Sequence, residues 1–157
     1  MAMSIPASIT GGAQTGFTAP TYTTVADQAP DLNSKQAIVS ALGGTQAGVT
    51  THSVQSPFTC TVRRPGTLKV LLAKFLNGVT GKFTKVPRNA YGVLTRKGLL
   101  IQAGQFDVGI IRTTIDLPAG ADTADPANVR ALISAHIGLL SANSAGAGDT
   151  AVTGSLG

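Results

Sequence analysis

Between Phe58 and Arg63 the chain switches character at every residue, with Phe58, Cys60 and Val62 set against Thr59, Thr61 and Arg63. Successive side chains of a strand point to opposite faces, so this pattern dictates a strand with one packed side and one wet side. Pro65-Gly66 follows as a turn signal. The next run alternates again, Leu68, Val70 and Leu72 against Thr67 and Lys69. An antiparallel hairpin of these two runs would place Thr59, Thr61, Arg63, Thr67 and Lys69 on one surface. Such a surface is either a solvated face or one suited to phosphate and base contacts, since it mixes hydroxyls with cations.

Further strands are expected over residues 22–25 and 36–42, on either side of the turn Pro30-Asp31-Leu32-Asn33. Residues 43–48 read as a glycine-rich loop and 49–54 as an approach to the next strand. Asn77-Gly78 marks a turn, and Pro87-Arg88-Asn89 a loop. Residues 91–101 and 106–117 read as two long strands joined through Gln102-Ala103-Gly104-Gln105. On the second, Ile111, Thr113, Ile115 and Leu117 share one face; Ile110, Arg112, Thr114 and Asp116 share the other.

A single convincing helix follows. Asp125 suits the N-cap and Pro126 the first helical position. Val129, Leu132, Ile133, His136, Ile137 and Leu140 then form one apolar stripe. A helix of about 16 residues, about 24 Å long, needs a surface to cover, and the packed face of the sheet is the natural one. His136 is expected to pack within that stripe. The organisation is one domain over residues 1–157: an extended arm (1–20), a β-rich part (21–118), the helix (125–142) and a tail (144–157) with room for one helical turn from Asp149.

Charge narrows the partners. The 157 residues carry 12 Lys and Arg against 7 acids, all of them Asp. Arg63, Arg64, Lys69, Lys74, Lys82, Lys85, Arg88, Arg96 and Lys97 lie in one stretch that ends before Phe106 and contains no acid. A one-signed stretch in a folded domain concentrates positive potential, and nucleic acid is the commonest polyanion to answer it. Catalytic patterns are missing: no H-x-x-x-H, no G-x-S-x-G, no phosphate loop, and no paired carboxylates. The reading is a non-enzyme without cofactor or metal. Cys60 stands alone, so it forms no intrachain disulfide and is expected to be a buried inert thiol; His52, among Thr and Ser, is expected to face solvent. The N-terminus has neither a basic start nor a long apolar run. Apolar stretches such as Val70-Leu71-Leu72-Ala73 are too short to cross a bilayer, so a soluble cytosolic product is expected.

Phe58-Thr59-Cys60-Thr61-Val62-Arg63 followed by Thr67-Leu68-Lys69-Val70 resembles the central hairpin of the coat proteins of single-stranded RNA (levivirus-type) bacteriophages. The run from Arg112 through Leu117-Pro118-Ala119-Gly120 to Arg130 resembles divergent members of that family. So do Pro87-Arg88-Asn89-Ala90-Tyr91 and Thr95-Arg96-Lys97-Gly98. The match in order extends from about residue 35 to residue 156.

The resemblance implies an α+β fold with an N-terminal β-hairpin, a five-stranded antiparallel meander and C-terminal helices. It further implies an intertwined homodimer in which each subunit's helices lie over the partner's sheet. Dimers would build an icosahedral shell in the host cytoplasm, with single-stranded genomic RNA on the inner sheet face. In many members that face also binds an RNA hairpin that represses translation. Neither a membrane nor a small-molecule substrate is implied. By the same resemblance Thr59, Thr61, Thr67 and Lys69 fall where the family lines its adenine pockets, and Arg63 adds charge. Arg112 falls where an Asn can contact RNA. Ile110 falls where a Tyr can stack on a base, a contact worth roughly 1–3 kcal/mol that isoleucine does not supply. The competing expectation is a cytosolic RNA-binding β-sheet protein or translational repressor that never assembles.

Overall fold

The alternating run becomes a strand near the middle of one antiparallel sheet. The computed structural model describes residues 2–156 and contains β1 (Ser8–Thr10), β2 (Thr18–Asp27), β3 (Ser34–Thr45), β4 (Phe58–Arg63), β5 (Arg88–Gln102) and β6 (Gln105–Pro118). Three helices follow: α1 (Ala121–Ala124), α2 (Pro126–Ala142) and α3 (Ser144–Thr153). The six strands lie side by side in chain order, so the N-terminal hairpin continues directly into the meander. This is the expected α+β architecture. β5 and β6 form the longest ladder and turn through Ala103-Gly104; Gly104 takes φ +80°, a conformation glycine adopts without a Cβ clash.

Register assigns the faces. Gln36, Thr61, Leu94 and Arg112 form one cross-strand row, and Ile38, Thr59, Arg96 and Ile110 the next. These rows and the Arg63–Gly92–Thr114 row make an arginine-bearing face. Ala37, Val39, Phe58, Cys60, Val62, Val93 and Thr95 lie on the opposite, apolar face. The tightest core is there: Val39 is 0% exposed and Ala37 4%. The Tyr22 ring meets Phe58 edge-on at 5.5 Å; Cys60 is half-buried rather than enclosed, and that burial pushes its thiol up from its ordinary pKa.

The structure departs from the sequence reading in five places. Residues 1–20 are not a free arm: β1 pairs with β2, and Thr24 Oγ1 donates to the Pro6 carbonyl at 2.6 Å. Met3, Ile5 and Ile9 thereby flank a groove of about 490 Å³ over Val39, Phe58 and Val93. Residues 67–72 form no strand, because β4 already has a ladder partner on each side, β3 and β5. The Asn89 side chain holds this segment instead, accepting from Lys69 N at 2.8 Å and donating to Lys69 O at 3.0 Å. Leu68 and Val70 are consequently 60% and 61% exposed. Third, β3 runs on through Gly43-Gly44 to Thr45, and β5 begins at Arg88 where a loop was expected. Fourth, His52 is half-buried, its Nδ1 accepting from Phe58 N at 3.0 Å.

The fifth departure concerns the helices. α2 starts as its sequence dictates, with the Asp125 carboxylate accepting from Asn128 N and Pro126 in the first turn. Yet α2 has no buried residue: Leu132 is 60% exposed, Ile137 59%, and His136 lies in solvent rather than packed. The helix does not cover its own sheet. The tail, where one turn was expected, forms α3 and grips the β1–β2 turn. Gln14 Nε2 donates to Ser144 O at 2.7 Å, and Thr15 Oγ1 to Asp149 Oδ2 at 2.9 Å.

Candidate nucleic-acid interface

The arginine face is a hydrogen-bonded lattice at its centre and open at one end. Arg96 Nε donates to Thr59 Oγ1 at 3.2 Å and its Nη2 to Gln36 Oε1 at 3.4 Å. Thr61 Oγ1 donates to the same Gln36 oxygen at 3.0 Å, and Gln36 Nε2 donates to Asp27 Oδ2 at 2.7 Å. That last bond, foremost, holds the Asp27 carboxyl below its ordinary pKa. Thr59 and Thr61 do point to the face read from the alternation, but they are only 3% exposed. Each sits between two strands that carry longer side chains, and these fold over the short hydroxyls.

Arg63 and Arg112 differ from Arg96. Both are exposed, and among the described residues neither guanidinium has a hydrogen-bond or ion-pair partner. They line a notch of about 150 Å³ above Gly92. Arg88, on the same face, donates from Nη2 to the Asp116 carbonyl at 2.8 Å. Ile110 lies beside Arg96, 42% exposed. Thr67 and Lys69 do not join this surface. Their segment is tethered through Asn89, whose register places it with Tyr91 on the opposite face.

No protein-family model and no curated protein matches the chain. A solved structure does: a chain of the virus-like particle of bacteriophage ESE020 aligns with a TM-score of 0.93 and 52% identity, over 99% of this chain and 100% of that one. This chain belongs to the bacteriophage coat proteins. It is therefore a structural capsid component and not an enzyme, and the family read from the motif order is the family found.

In this coat protein, four of the six residues singled out from sequence share a face: Thr59, Thr61, Arg63 and Arg112. Sequence reasoning missed Gln36, Arg96 and Gly92. The signal existed, since Arg96 and Gly92 have the same parity along β5, but only the β4–β5 register shows that this parity faces Thr59 and Arg63. Lys97 faces the other way: its Nζ donates to Thr50 Oγ1 at 2.9 Å and lies 5.2 Å from the Phe58 ring centroid. Partial burial lowers its pKa. Lys74 and Lys85 lie at 5.2 Å and 5.5 Å from the Phe75 ring centroid in the excursion between β4 and β5. Among the described residues no cluster of His, Cys and Asp could hold a metal ion, and no helix is long and apolar enough to cross a membrane.

Proposed function

We propose that this coat protein pairs through its sheet and helices, that α2 of each protomer covers the apolar face of its partner, and that the dimers close into a shell around single-stranded RNA held on the arginine face. The observation that carries assembly is uncovered surface. The single chain exposes 10916 Å², whereas a folded monomer of 15.8 kDa exposes about 7,300 Å². The excess, roughly 3,600 Å² per chain, is what a chain with large obligate contacts leaves open when alone; such interfaces bury about 2,000–5,000 Å² over both partners. The apolar stripe of α2 and the groove beside β1 are complementary parts of that surface.

RNA contact is supported by Arg63, Arg88, Arg96 and Arg112 on one face and by the acid-free basic stretch. Lys69 adds charge nearby in sequence without joining that face. The Thr59 and Thr61 hydroxyls are engaged by Arg96 and Gln36, and Ile110 supplies no stacking ring. The face is thus built to hold a backbone more than to read bases, and repression through one RNA hairpin would require Arg96 to move.

Electron microscopy of the purified recombinant chain should show uniform shells, with RNA protected from nuclease until the shell is opened. A soluble dimer that binds RNA but never forms particles would establish the non-assembling repressor instead. Empty shells would remove the RNA part of the proposal.

A further inference from the structure

We propose that Arg63, Gly92, Arg112 and Thr114 form a phosphate-gripping notch in which both guanidiniums hold one phosphodiester of the RNA. This rests on the reading that the arginine face meets RNA, and it names the group bound and the residue that makes room for it. Arg63 and Arg112 belong to β4 and β6, on either side of β5. Their strands are about 10 Å apart, a gap that two arginine side chains can close from both sides. Thr114 completes the Arg63–Gly92–Thr114 row and adds a hydroxyl at the wall.

Gly92 is the informative residue. A glycine inside a strand costs stability, and it often marks a close approach by a ligand or another chain segment. Its φ is not positive, so the backbone conformation does not require it. What it provides is space. A Cβ there would stand 3.0 Å from Arg63 Cγ and 3.1 Å from its Cδ. The Arg63 stem therefore lies across the bare backbone of Gly92. Guanidiniums bind phosphate through two parallel N–H donors. The pair in this notch is free for that, whereas Arg96 is occupied by Thr59 and Gln36.

The test uses dimers released from particles and a fluorescein-labelled oligouridylate, whose bases stack weakly. Arg63→Gln and Arg112→Gln should each weaken binding about tenfold. If both hold one phosphate, the double variant should lose little more than either single one, by the non-additivity of groups sharing a partner. Gly92→Ala keeps every charge but crowds the Arg63 stem, which must give by a few tenths of an ångström; it should weaken binding measurably, though less than Arg63→Gln, while melting within a few degrees of wild type. Lys35→Gln, on the apolar face, should change nothing. Multiplicative losses in the double variant, with Gly92→Ala binding normally, would overturn the notch and leave the RNA face standing. Unchanged binding in all the arginine variants would overturn the RNA face itself.

Discussion

The middle of the sheet and the long helix treat their apolar residues in opposite ways. Val39 on β3 is fully enclosed, and even the polar Thr59 and Thr61 of β4 are 3% exposed. Along α2 nothing is buried, and Leu132, Ile137, Leu139 and Leu140 stand 52–61% exposed. The sheet core is completed by its own chain, because neighbouring strands in sequence are neighbours in space. The helix is held at its ends, by the α1 turn after β6 and by α3 on the β1–β2 turn, and its stripe meets no surface of its own chain. If the proposed partner covers that stripe, stability and association become one event.

The largest effect should come from the helix. Leu132→Asp combined with Ile137→Asp leaves every contact of the sheet intact but places charge where the partner should lie. Particles should vanish in sedimentation, and little soluble dimer should remain. In wild-type dimers released from particles, the unfolding midpoint should rise with protein concentration, as it does only when folding and pairing are coupled. Normal particles from the double Asp variant would show that α2 is not buried against a partner.

On the sheet side, Val39→Ala removes enclosed methyl groups and should cost roughly 2 kcal/mol, read from the urea midpoint at fixed concentration. A cost below about 0.5 kcal/mol, the range of surface substitutions, would show that the sheet interior is not the tight region described.

The hydrogen bonds that hold α3 on the β1–β2 turn can be opened separately. A Cβ at Gly148 would collide with Gln14 Oε1, so Gly148→Val should open the hydrogen bonds from Gln14 and Thr15, each worth about 1 kcal/mol. Hydrogen exchange over residues 144–153 should speed up about tenfold while amides of β3 to β5 keep their protection. Equal loss in both regions would mean that helix and sheet are not separately held.

The smallest effect concerns Asp27 at the edge of the Gln36 lattice. Its folded pKa lies below the ordinary value of 3.8. Its contribution is therefore complete above that value and lost as pH falls through the lower folded one. Asp27→Asn should lower stability slightly near neutrality, and the difference from wild type should fade as pH falls below the ordinary value of 3.8. Equal stability at neutral pH with a loss confined to acid would contradict the assignment.

How much was legible beforehand follows from which interactions are local. The strand from Phe58 to Arg63, the β5–β6 hairpin and the α2 cap were readable because alternation and capping act over a few residues. Residues 67–72 misled because they alternate like a strand, yet β4 had no free edge to give them. Burial of Thr59 and Thr61 depended on Arg96 and Gln36, which are far away in the chain and meet them only through register. Periodicity identified the stripe of α2 but not its partner, since an apolar stripe says that something must cover it and not which chain does.

In a cryo-electron microscopy reconstruction of the assembled particle, α2 of each protomer should lie on the apolar face of a neighbouring copy, over Val93 and Ile111, with Arg63, Arg96 and Arg112 facing internal RNA density. A helix folded back on its own sheet, or an arginine face turned outward to solvent, would contradict it.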